Sequence, residues 1–111
     1  MAVDCVFCRI IAGDIPTPFL YHDEEVVAFN DIHPLTPVHV LIVPRRHITS
    51  LQEMGPEEAP LIGRMALLAK KLAADKGIAE RGYRLVINNG PEGGQVVPHL
   101  HLHLLGGKKL R

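Results

Sequence analysis

Residues 98–105 read Pro98-His99-Leu100-His101-Leu102-His103-Leu104-Leu105, with histidine and leucine in strict alternation. Side chains alternate across a β-strand. The stretch therefore predicts a strand with His99, His101 and His103 on one face and Leu100, Leu102 and Leu104 on the other. Neighbours on one face then stand roughly 6.5–7 Å apart. The leucine face needs a core, and burying its three side chains is worth on the order of 5–8 kcal/mol before entropy is subtracted. The histidine face calls for chemistry. Imidazole titrates near neutrality, so a row of three can divide roles, one ring neutral and nucleophilic while its neighbours face an anion, which suits phosphate chemistry. Alternate strand residues can also converge on a metal ion, and the spacing alone leaves that reading open.

Immediately upstream, Tyr83 to Ile87 predicts a strand, followed by the loop Asn88-Asn89-Gly90-Pro91-Glu92-Gly93-Gly94. That loop holds neither the phosphate-loop lysine signature nor a dinucleotide fingerprint, but its glycines let backbone approach a ligand closely. Val38-His39-Val40-Leu41-Ile42-Val43-Pro44 is a nearly continuous apolar run, as expected of a central buried strand. His39 is its one polar member. It reads either as a core histidine with its hydrogen bonds satisfied or as part of an active-site histidine network.

Phe19-Leu20-Tyr21 and Val26-Val27-Ala28-Phe29 predict two short strands around a polar turn, His22-Asp23-Glu24-Glu25, with His22 solvated in the turn. Asn30-Asp31-Ile32-His33-Pro34 then ends the second strand with polar groups; Asp31 reads as a turn former or as a carboxylate available to a cleft. After Glu57-Glu58, the residues Leu61, Met65, Leu68 and Leu72 form an apolar stripe at helical spacing, with Pro60 in the first turn and Gly77 as the stop. This long helix is the natural partner of the leucine face. Near the start, Cys5-Val6-Phe7-Cys8 precedes Ile10-Ile11-Ala12 and Gly13, which suit a brief helix. The Cys-x-x-Cys spacing fits a metal, but four-coordinate zinc needs two further ligands, so structural metal, reduced thiols and a redox pair all remain readings of it.

The totals narrow the class. A chain of 111 residues suits one domain, residues 1–111, and its 12 basic residues balance 12 acidic ones, so no net field points to nucleic acid. Met1-Ala2-Val3-Asp4-Cys5 lacks the basic stretch and apolar run of a secretory leader, and no run of about 18 apolar residues occurs. The expectation is a cytoplasmic protein without a membrane partner or a structural disulfide. The expected architecture is α+β: a mostly antiparallel sheet of about five strands, one long helix and a short N-terminal helix.

His99-Leu100-His101-Leu102-His103-Leu104-Leu105 resembles the His-φ-His-φ-His-φ-φ motif of the histidine-triad (HIT) superfamily, where φ is an apolar residue. The surroundings resemble its Hint branch: Phe7-Cys8-Arg9-Ile10-Ile11, Ala28-Phe29-Asn30-Asp31-Ile32, His39 through Ile48, Tyr83 through Asn88, Gly93-Gly94-Gln95 and the trailing Gly106-Gly107. The resemblance implies a HIT-like fold and a nucleotide hydrolase that cleaves the P–N bond of purine nucleoside 5′-phosphoramidates, conjugates of AMP or GMP. It implies His101 as nucleophile, forming a nucleotidyl-histidine, with His103 and His39 beside it in the catalytic network. Asp31 would take the ribose hydroxyls, Phe7, Ile10, Phe29 and Ile32 would wall the purine, and Asn88, Gly94, Gln95 and the main chain of Val96 would hold ribose and phosphate.

Members that keep both cysteines complete a structural zinc site with two histidines, here His47 and His99 beside Cys5 and Cys8; catalysis itself requires no metal. A symmetric homodimer is also implied. The alternatives are a dinucleoside polyphosphate hydrolase, as in the Fhit branch, and a nucleotide-binding regulatory module with vestigial activity. The chain departs from the pattern at Val96, where several Hint-like proteins carry serine, and at Pro98, where an aromatic is frequent. His33 has no family role.

Overall fold

In the computed structural model, residues 5–111 are described. The reading of the opening residues as no leader falls on residues 1–4, outside the described residues. The chain runs α1 (Val6–Ala12), β1 (Tyr21–His22), β2 (Val26–Asn30), β3 (Val38–Pro44), α2 (Ala59–Asp75), β4 (Tyr83–Val86) and β5 (Leu102–Gly106). The five strands form one sheet in the order β1-β2-β3-β5-β4, every neighbouring pair antiparallel. This is the α+β architecture expected. Among the described residues, no helix is long and apolar enough to cross a membrane.

The two faces of the sheet carry separate cores, and strand alternation decides which residue joins which. Val26, Ala28, Val40, Ile42, Leu102 and Leu104 point to the α2 side, where Met65, Leu68, Ala69 and Leu72 cover them. Val27, Phe29, Leu41 and Val43 point the other way, against Phe7 and Cys5. The apolar stripe of α2 therefore meets the leucine face of β5 as the sequence predicts. The long helix starts at Ala59, just after Glu57-Glu58, because Pro56–Glu58 forms a tighter 3-10 turn ahead of it. Pro60 lies in the first turn, where its missing N–H costs no helical bond.

The short helix α1 uses Cys5 as its cap, the Cys8 N–H reaching the Cys5 sulfur at 3.4 Å. Gly13 closes it in the left-handed region at φ 86°, which glycine adopts without steric cost.

Several boundaries differ from expectation: β1 starts at Tyr21 rather than Phe19, and β2 runs one residue past Phe29 to Asn30. The triad segment is not strand throughout, since β5 begins only at Leu102. Pro98 brings no N–H, the His99 N–H turns back to the Val97 carbonyl at 2.8 Å, and the Leu100 N–H goes to the Ile48 carbonyl at 2.6 Å. His99 and His101 thus precede the ladder, although Leu100, Leu102 and Leu104 are all buried as alternation requires. His22 is not a turn residue: it is the second residue of β1, paired with Val27, though exposed as expected. β4 ends at Val86, one residue before the expected Ile87.

Leu104 is fully buried between sheet and α2. Leu104→Ala should lower unfolding free energy by about 2–5 kcal/mol, seen as an earlier urea midpoint; a loss under about 1 kcal/mol would show that α2 does not depend on this face.

Candidate functional site

His39 and His103 come from adjacent strands. His39 pairs with Leu105 and His103 with Leu41, so the two histidines are diagonal neighbours on the face away from α2. Their rings meet with His39 Nε2 2.9 Å from His103 Nδ1. Main-chain groups settle which nitrogen carries each proton. The Leu35 N–H donates to His39 Nδ1 at 3.0 Å, so that nitrogen holds a lone pair and the neutral ring is protonated at Nε2. Nε2–H then donates to His103 Nδ1, which leaves the His103 proton on Nε2. Thr36 steadies the turn that presents Leu35, its buried hydroxyl donating to the Val38 carbonyl at 2.6 Å.

His101 has the opposite tautomer. Its Nδ1 lies 2.6 Å from the His99 carbonyl, which can only accept, so Nδ1 carries the proton and Nε2 a free lone pair. The ring is buried, edge-to-face with Phe7 at 5.0 Å between centroids and 4.9 Å from His103. A neutral imidazole with a fixed lone pair can act as a nucleophile, and its neighbour's N–H can face an anion.

His99 belongs to a different cluster. The donor atoms of Cys5, Cys8, His47 and His99 all lie within 4.8 Å of one another. His99 Nδ1 is 3.4 Å from the Cys5 sulfur and 3.6 Å from that of Cys8, while His47 Nδ1 is 3.2 Å from Cys8. A tetrahedral ion with zinc-like bond lengths separates its ligand atoms by about 3.5–3.8 Å, so the set needs little adjustment to hold one.

The Pro44 carbonyl takes the His99 Nε2–H at 2.8 Å, which aims the Nδ1 lone pair at the sulfurs, the usual outer support of a metal-binding histidine. Burial and the Cys5 thiol push the Cys8 thiol up, a penalty that a cation between the two would remove. Asp31, His39 and His103 also cluster, with Asp31 Oδ2 3.4 Å from His39 Nε2. There the nitrogen facing the group carries the proton, so the wiring is that of a hydrogen-bond relay rather than a metal site.

The HIT-domain sequence pattern matches residues 12–110. The chain belongs to the HIT family. This HIT chain is 44% identical over 110 residues to a purine nucleoside phosphoramidase of Escherichia coli, covering 99% of this chain and 92% of the relative. It is 48% identical over 108 residues to an uncharacterized HIT-like protein of Synechocystis, covering 97% and 94% respectively. A HIT family hydrolase from Clostridium thermocellum superposes with a TM-score of 0.95 at 46% identity, covering 100% of this chain and 96% of that one.

The remaining residues singled out in the sequence of this HIT chain divide into two sets. Phe7, Ile10 and Phe29 gather in the apolar cluster beside His101, Phe7 and Phe29 edge-to-face at 5.7 Å. Ile32 stands apart, 85% exposed on the loop after β2. Asp31 accepts the His33 N–H at 2.8 Å through Oδ1, so it is a turn former as well as a neighbour of His39. Gly94 faces Asn88, whose carboxamide lies 3.8 Å from where a Cβ would be.

Gln95 closes its own loop: Oε1 accepts the Gly90 N–H, and Nε2 donates to the Thr49 and Val97 carbonyls. Val96, between two anchored neighbours, is 90% exposed. A wide recess lined by His22, Asp23, Glu24, Glu25, Arg45 and Arg64 involves none of the triad; there Arg64 pairs with Asp23 and Glu25, and Arg45 Nε donates to the Asp23 carbonyl at 2.6 Å.

Sequence reasoning missed the main-chain partners, the Leu35 N–H and the carbonyls of Pro44 and His99. The run of Pro34, Pro37 and Pro44 near His39 was the one available hint of fixed backbone there.

Burial, with His101 and His39 adding, lowers the His103 pKa to about 4 against the pull of Asp31. Burial also lowers that of His39, again opposed by Asp31. An imidazole in the unfolded chain takes up its proton near pH 6.5, so below that the unfolded state binds more protons. Stability should therefore fall as pH drops from about 6.5 towards the folded value of about 4. Urea unfolding across that window checks this; a slope unchanged in His103→Gln would show that His103 does not contribute to it.

Proposed function

We propose that this protein hydrolyses purine nucleoside 5′-phosphoramidates through a covalent nucleotidyl intermediate on His101. The observation that carries the reading is the fixed tautomer of His101, whose Nδ1–H is bonded to the His99 carbonyl at 2.6 Å, freeing Nε2 for attack. Nε2 attacks the α-phosphorus, the P–N bond breaks, and the amine departs with a proton from water. The hydroxide left by that water then attacks the same phosphorus, breaking the P–Nε2 bond, releasing the nucleoside monophosphate and restoring the neutral imidazole. His103 Nε2–H, held by the relay from Leu35 through His39, donates to a phosphoryl oxygen, where one well-placed donor is worth about 2.7–4 kcal/mol.

Asp31 takes the ribose hydroxyls, Phe7, Ile10, Phe29 and Ile32 flank the base, and Asn88 with the main chain of Gly94, Gln95 and Val96 holds ribose and phosphate. Support for the substrate class comes from the 44% identity to the Escherichia coli phosphoramidase.

Cys5, Cys8, His47 and His99 hold zinc in this reading. The ion supplies a structural cross-link between α1 and the strand ends. The protein acts as a homodimer, a reading supported by the edge of β4, unpaired among the described residues, with its exposed Leu85 and by the exposed Leu67 of α2.

His101→Ala should reduce turnover of AMP-morpholidate by at least about a thousandfold while AMP still binds. Rapid quenching of the unaltered protein should trap an adenylyl group on His101 by mass spectrometry. Full activity in His101→Ala removes the nucleophile assignment, and faster turnover of diadenosine triphosphate than of AMP-morpholidate favours a polyphosphate hydrolase instead. Metal analysis of protein purified without chelator should find one zinc per chain, lost in Cys5→Ser; two freely titratable thiols and no zinc would remove the metal reading.

A further inference from the structure

We infer that the Cys5, Cys8, His47 and His99 centre positions the His101 ring, so that metal loading sets how well the nucleophile is aimed. Two independent connections run from the centre to that ring.

The first is His99 itself, whose polar groups are all engaged. Nδ1 faces the two sulfurs, Nε2–H bonds the Pro44 carbonyl at 2.8 Å, and the main-chain N–H bonds the Val97 carbonyl at 2.8 Å. Its remaining group, the carbonyl, receives the His101 Nδ1–H at 2.6 Å. A ligand and the nucleophile are thus linked through one residue, and His101 can change tautomer or tilt only if that carbonyl moves.

The second connection is Phe7. It lies between Cys5 and Cys8 in sequence, and its ring stands perpendicular to His101 at 5.0 Å and edge-on to His99 at 5.8 Å. The helix that carries it has seven residues and a sulfur cap. Helices shorter than about 12 residues are marginal alone, so α1 takes its position from what clamps its ends. Joining both thiols to His47 and His99 fastens the Phe7 end to the strand termini and presses the ring against His101. Without that joining, α1 keeps the apolar contacts of Phe7 and its neighbours and the weaker sulfur–imidazole contacts, and loses the covalent-strength clamp at its start. His39 and His103 are held instead by β3 and β5 and by the hydrogen bond between them.

The kinetic part of this inference rests on His101 as nucleophile; the geometric part does not. Protein labelled with 15N histidine is compared by NMR at one pH with zinc bound and after removal by chelator. Loaded protein should show His101 with Nδ1 protonated and Nε2 free. Removal should draw the two nitrogen shifts of His101 towards each other while those of His39 and His103 stay. AMP-morpholidate turnover should fall on the order of tenfold to a hundredfold, the effect of a misplacement near 1 Å, with AMP affinity kept within about twofold.

Where removal unfolds the chain, cadmium replaces zinc: its longer bonds should shift His99 and His101 together. His101 shifts that ignore both chelation in folded protein and cadmium exchange overturn the inference. Metal-sensitive His101 shifts in a loaded protein without phosphoramidate turnover support the coupling and remove the functional reading. Turnover with metal-insensitive His101 shifts does the reverse.

Discussion

Leucines 100, 102 and 104 cannot be buried without committing histidines 99, 101 and 103 to the other side of the backbone. This steric coupling organises the molecule. Leu102 and Leu104, with residues of β2 and β3, form the floor on which α2 lies, and Leu100 is buried ahead of them. The histidines face a second, smaller core built from Phe7, Phe29, Leu41 and Val43. Because both layers are anchored, rotation of the histidine segment about its own axis would open a core on each side.

Within that frame the three histidines have diverged in role through their hydrogen bonds. His99 donates from Nε2 and offers Nδ1, His101 donates from Nδ1 and offers Nε2, and His103 receives at Nδ1 and presents Nε2–H. None of these states is intrinsic to imidazole. Each is imposed by a main-chain group that can only give or only accept a proton, directly for His99 and His101 and through the His39 ring for His103, and burial keeps His103 neutral at physiological pH. One residue type in one strand-like run thereby presents a lone pair to the two sulfurs, a second lone pair beside Phe7 and a hydrogen-bond donor.

Much of this was legible in the sequence because it depends on periodicity. The alternation around His101, the stripe from Leu61 to Leu72 and the apolar run from Val38 to Pro44 each specified an element and its buried face. Chain ends of elements were harder. The start of β5 depends on Ile48, whose carbonyl draws the Leu100 N–H away from any ladder, and a contact across 52 positions leaves no local mark. Cys5 and Cys8 announced a pair of ligands, but the sulfurs meet His47 and His99 only because β3 and the triad segment end side by side, so their partners came from family likeness. The proton positions were invisible throughout, since the groups that set them are peptide units present at every residue.

The pairing of β3 with β5 also fixes when the site can come into being. His39 and His103 stand 64 positions apart, and α2 and β4 must be made before the second of them reaches the first. Closing so long a loop is entropically slow, so local turns and α2 have time to form earlier. A chain still emerging from the ribosome, or arrested before its last strand, carries the apolar hairpin and the long helix but not His103, the end of the relay. Competence is acquired in one late step, together with burial of the final leucines.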